Sequence, residues 1–286
     1  MKPAISVLAL TCVLTAFAHA DSFTFSNGAV TNSIGMASRP ASSGVTEIEA
    51  ADDFLLTSQT SLSSAKFWGL LPTGASVVSV DVEIYRVFPL DSTVPPSGNV
   101  PTRVNSPSDV AFDSRSSGSG LTFSTSVLAP SFTVLNSVVN GINKFPNQTT
   151  GGEGLVTGQE VEFDVNFTSL LDLGPDHYFF VPQVQLSNGT FLWLSATRPN
   201  PLLTPDLQAW IRNASLDPDW LRVGTDIIGG ASPPTYNAAF SLAGTTTAAS
   251  TVPEPSSWLL LLTGSGMLLY RFQPRKAYAR AGQRVG

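Results

Sequence analysis

Between Asp21 and the C-terminus the chain holds one imidazole, His177, and no thiol, because its single cysteine, Cys12, lies in the apolar opening segment. Catalysis of the Ser-His-Asp type would have to run through His177. Its surroundings, Gly174-Pro175-Asp176-His177-Tyr178, read instead as a turn entering a strand. There is no G-x-S-x-G elbow and no H-E-x-x-H pair. The residues therefore assign no catalytic group, no metal-ligand set and no cofactor, and the protein reads as a non-enzyme.

Two other residue types could carry chemistry. Glu47 with Glu49, Asp52-Asp53 and Asp217-Pro218-Asp219 are acidic pairs that could offer oxygen ligands to calcium, but none has the repeat of a calcium loop, so each reads as a solvated edge or turn. Glycoside hydrolysis needs two carboxyls at a spatial separation that sequence does not show. Trp68, Trp193, Trp210 and Trp220 could stack against sugar rings, although core packing is the default for such side chains. Trp210 and Trp220 flank the turn-like Ile211–Asp217 stretch and are the preferred candidates for ligand stacking.

These residues must be positioned by strands. Val78-Ser79-Val80-Asp81-Val82-Glu83-Ile84 alternates strictly, with one face aliphatic, and Glu160 to Phe167 repeats the pattern with acidic residues on the other face. Tyr178 to Leu186 and Thr190 to Ser195 flank Ser187-Asn188-Gly189, which predicts a hairpin. Shorter strands are expected at Asp53–Leu56, Ser61–Trp68, Thr122–Leu128, Phe132–Val139, Leu207–Arg212 and Tyr236–Leu242. No stretch of the body has a helical period. The expected fold is all-β, a β-sandwich or jelly-roll-like ectodomain over 21–242, with 91–120 a long loop or disordered insertion and 243–251 a flexible linker.

Composition agrees with a folded body, at 42% hydrophobic and 13% charged residues. The opening has Lys2, an apolar run from Ile5 to Phe17 and the small-x-small site Ala18-His19-Ala20. It reads as a signal peptide over 1–20, cleaved before Asp21. From Asp21 to Pro255 there are 9 basic and 21 acidic residues, a net of −12. Such a body has no basic footprint for nucleic acid.

The end of the chain has its own order. Val252-Pro253-Glu254-Pro255 is followed by an uncharged apolar run, expected to span a membrane over 256–270, and then by Arg271, Arg275 and Lys276. At 1.5 Å per residue that run reaches roughly 22 Å as a helix, short of a hydrocarbon core of about 30 Å. Trp258 and Tyr270 sit at its ends as aromatic anchors, and the basic residues would stop transfer and stay on the cytoplasmic side. Gly264-Ser265-Gly266 weakens the helix, which suits a transient stay in the bilayer. The prolines hold the motif extended just outside the membrane.

This order over 252–276 resembles the PEP-CTERM sorting signal of diderm bacteria, with Val252, Pro253, Glu254 and Pro255 as the motif. The chain departs from the family in continuing through 277–286, a cytoplasmic tail extension. The resemblance implies recognition and cleavage by an exosortase, a membrane transpeptidase, after transient anchoring in the inner membrane. It implies a final place at the cell surface or outside the cell, in company with exopolysaccharide. Glu49-Ala50-Ala51-Asp52-Asp53-Phe54, Phe67-Trp68-Gly69 and Phe240-Ser241-Leu242-Ala243-Gly244 are similar to β-rich ectodomains that carry the same tail. That likeness implies architecture and no activity. The expected role is structural or carbohydrate-binding. The alternatives are an extracytoplasmic hydrolase acting on polysaccharide and a permanently anchored envelope protein.

Overall fold

Period-2 patterning builds almost the whole body. The computed structural model describes residues 20–42, 44–143 and 149–247, so Ala18 and the entire sorting signal lie outside the described residues, as does the expected span at 256–270. Among the described residues fifteen strands follow in chain order: β1 (Ala20–Ser26), β2 (Val30–Ala37), β3 (Ile48–Leu56), β4 (Thr60–Leu71) and β5 (Val77–Arg86). Next come β6 (Asp113–Ser116), β7 (Leu121–Val134), β8 (Ser137–Val138), β9 (Val156–Leu173) and β10 (Asp176–Leu186). The last are β11 (Leu192–Ala196), β12 (Trp210–Asn213), β13 (Leu221–Arg222), β14 (Asn237–Ala238) and β15 (Phe240–Thr247). One π-helical turn, Val223–Ile228, is the exception. None of the described helices is long and apolar enough to cross a membrane.

The chain is all-β with two sheets. The larger runs β1-β15-β4-β11-β2-β8, with β9 and then β7 added on β4 and β14 on β11. The smaller runs β13-β12-β3-β10-β5-β6 and is antiparallel throughout. Aromatic side chains from both sheets meet in one core. Phe180 of β10 stacks on Phe240 of β15 with centroids 5.0 Å apart, and Phe67 of β4 stacks on Phe163 of β9 at 4.6 Å. Phe180 also meets Trp193 of β11 edge-on at 6.0 Å. Such pairs add about 0.5–1.5 kcal/mol each beyond the area they bury. Gly69 serves this packing directly, since a Cβ there would lie 1.9 Å from the Phe191 ring.

Two expectations are corrected, and the stretch expected as a long loop gains detail. Ser187-Asn188-Gly189 does not close a hairpin, because β10 pairs with β3 and β5 in one sheet while β11 pairs with β2, β4 and β14 in the other. The turn carries the chain from sheet to sheet. The linker expected at 243–251 is a strand as far as Thr247, pairing with β1 from Ala20↔Thr247 and with β4. Asp21 thus sits in a paired strand close to where the expected mature chain begins. The 91–120 stretch contains β6 and the buried Arg103, and its backbone is tied to β5 by Ser108 N–H to Arg86 O at 2.9 Å and Phe112 N–H to Ile84 O at 2.7 Å.

Candidate functional site

Along β3, β5, β10 and β12 alternate residues enter the core, and the others line the opposite, outer face of the six-stranded sheet. On β3 this gives Ala50, Asp52 and Phe54 to one side and Glu49, Ala51 and Asp53 to the other. Asp52 and Asp53, adjacent in sequence, therefore part company. Asn27 Nδ2 donates to Asp52 Oδ2 at 2.6 Å and the Ala238 N–H donates to the same oxygen. Burial, and then the charge of Asp53, pushes the Asp52 carboxyl well above the usual range. Asp53 is also pushed up by burial, against the lowering effect of His177, whose Nε2 lies 2.6 Å from its Oδ2. His177 is thus engaged with a carboxylate that sequence reasoning did not pair with it.

Glu49 organises the middle of the outer face. Arg212 Nε donates to Glu49 Oε2 and its Nη2 to Oε1 at 3.1 Å, while the Tyr85 hydroxyl donates to Oε1 at 2.7 Å. Arg212 Nη1 reaches the Asp109 carbonyl at 3.1 Å, which ties the 87–112 loop over the sheet. Burial opposes the Arg212 charge, yet Glu49 outweighs it and the guanidinium is held above its ordinary pKa. Arg103 fixes the same loop, donating to Asp219 Oδ1 at 3.0 Å and Asp109 Oδ1 at 3.1 Å while stacking over Phe88.

Trp220 is not an exposed stacking platform. It is fully buried, its ring face is covered by the Arg212 guanidinium at 4.3 Å, and its Nε1 donates to the Ser108 carbonyl at 3.2 Å. Trp210 is 2% exposed and packs with Ala51, Phe179 and Trp220. Its position opposite Ala51 on β3 explains this: a large ring over a small partner fills the sheet's outer layer.

Among the openings in the described residues, two lie at opposite edges of this sheet. The first, of about 430 Å³, is lined by Glu47, Asp81, Glu83, Arg115, Gln183 and neighbouring serines. Glu83 is pushed up to about 8 by burial and by the charge of Glu49, and Asp81 is raised by burial and then by Glu47. Arg115 gives this groove little relief. Its donors go to Asp113 and to the carbonyls of Ser114, Ser169 and Leu170. At neutral pH Glu83 carries a proton, so the groove offers one acid among further carboxyls.

The second opening, of about 340 Å³, is walled by Asn105, Arg198, Asp206, Gln208, Trp210 and Arg222 among others. Among the described residues no set of three or more His, Cys, Asp or Glu side chains is grouped to hold a metal ion. Sequence reasoning singled out Trp210 but missed the arginines beside it. No family model, no curated protein and no solved structure matches the chain.

Proposed function

We propose that this is an exported protein of a diderm bacterium, sorted through its C-terminal PEP-CTERM-like signal, whose β-sandwich body serves a structural or carbohydrate-binding role at the cell surface. An exosortase recognises Val252 to Pro255 and cuts near Pro253 to Pro255, after Arg271, Arg275 and Lys276 have stopped transfer in the inner membrane. The body then joins the envelope or an exopolysaccharide matrix. The observation that supports this reading most is the order of the tail, motif then short apolar run then basic residues. The body fits an exposed extracellular life. Two sheets close on one aromatic core with no cysteine after Cys12.

With Trp220 buried, sugar binding through an exposed strip of these tryptophans loses its support, and binding would have to use a pocket. The test of the sorting reading is the intact mass of the exported product in its host. A second reading, hydrolysis of polysaccharide, is favoured by the raised pKa of Glu83 in a groove with Glu47 and Asp81. Its signature would be release of reducing ends that Glu83→Gln abolishes. No such release by the unaltered protein would remove it.

A further inference from the structure

The opening at the β12–β13 edge has a surplus of hydrogen-bond donors. Trp210 forms part of its wall, is almost wholly buried, and its indole N–H has no acceptor. A buried donor left without a partner costs about 1–3 kcal/mol. Arg222 uses Nε and Nη2 on Asp226, at 3.0 and 2.6 Å, which leaves its Nη1 for other acceptors. Arg198 spends Nη1 on the Leu207 carbonyl and Asn237 and Nη2 on the Asp206 carbonyl, so its Nε–H is spare. Gln208 accepts from Thr225 through Oε1 at 3.0 Å, and its amide N–H groups are spare as well. The carboxylate in the wall has one hydrogen-bond donor at each oxygen and Arg198 Nη1 at 3.6 Å. Asp206 accepts from the Asn200 N–H at 2.9 Å and from Asn237 Nδ2 at 3.0 Å.

The pocket is also held in shape. Thr102 and Asn105 line it on the loop side, and Arg103 between them is buried and bonded to Ser106, Asp109 and Asp219. A rigid wall of donors is preorganised for acceptor oxygens. Sugar hydroxyls both donate and accept, whereas a carboxylate only accepts. We infer that the Trp210–Arg222 pocket binds a uronate residue of an acidic polysaccharide, with the sugar carboxylate received by Arg222 Nη1, the Gln208 amide and Arg198 Nε. This inference rests on the carbohydrate-binding reading of the body.

The test is calorimetric titration of the full-length protein with galacturonate, galactose, polygalacturonate and dextran. Galacturonate should bind at least tenfold tighter than galactose, and Gln208→Glu, which keeps an acceptor for Thr225 and replaces the amide donor with a carboxylate, should weaken it at least tenfold. Arg222→Lys should weaken it also, since a single ammonium cannot serve Asp226 and the ligand in the same geometry. The melting temperature of Gln208→Glu should stay within a few degrees of the unaltered protein. Galacturonate affinity unchanged in both variants would overturn the placement. Binding of dextran without galacturonate or polygalacturonate would overturn the uronate inference while the carbohydrate-binding reading stood. Binding of none of the four would remove both.

Discussion

The two edges of the six-stranded sheet carry opposite chemistry on the same face. At the β5–β6 edge Glu47, Asp81 and Glu83 crowd together, and Glu83 keeps its proton to about pH 8. At the β12–β13 edge Arg198, Arg222 and Gln208 hold spare donors beside Asp206, each of whose oxygens already accepts a hydrogen bond. Between them lies the Glu49–Arg212–Tyr85 network, in which nearly every charge is matched. The body's net of −12 therefore says little about any one site. What a groove can receive is set by which donors and acceptors the neighbouring strands leave over after internal pairing.

The largest effect expected is from removing the divider. Arg212→Met leaves Glu49 buried without its cation, beside the Tyr85 hydroxyl and Glu83, and should cost about 3–5 kcal/mol in urea unfolding near pH 7. It also frees the loop at Asp109, so both openings should change together. A loss below about 1 kcal/mol would mean that the network does not hold the two edges apart.

A smaller effect starts at the β5–β6 edge, where Glu83 Oε2 lies 3.0 Å from the Tyr85 hydroxyl of the central network. Glu83 has a folded pKa raised from 4.5 to about 8, so the folded state binds a proton that the unfolded state releases. Stability from this group is full below about pH 4.5, falls as pH rises and is lost through about pH 8. Glu83→Gln should flatten that decline, making the variant more stable than the unaltered protein at alkaline pH. Thermal melts across this range check it. Parallel curves for the two proteins would show that Glu83 is not the buried acid of the groove.

Much of this architecture is legible in local pattern, and the failures are instructive. Val78 to Ile84 and Glu160 to Phe167 fall inside β5 and β9 because alternation in a half-buried strand needs no distant information. The same rule separates Asp52 from Asp53, since neighbours on a strand face opposite ways, and it argues against the two gripping one ion. β2 escaped notice because VTNSIGMA has few large apolar residues, although its second half is buried. The Ser187-Asn188-Gly189 turn reads identically whether the next strand stays beside the last or crosses to another sheet. That choice was made by β4, more than a hundred residues earlier, which pairs with β11. Trp220 looked available for a ligand because Arg212, which covers its face, is itself positioned by Glu49, 163 residues from Arg212. Charge pairing at that range leaves no local trace.

The sorting reading stands on 252–276, and one measurement reaches it directly: the intact mass of the exported protein from its native host, beside a variant with Pro253, Glu254 and Pro255 changed to alanine. A product that begins at Asp21 and lacks Trp258 to Gly286, with the variant retaining that tail in the inner membrane, is the expected result. An exported product that still carries Trp258 to Gly286, or a variant trimmed and released like the original, would contradict it.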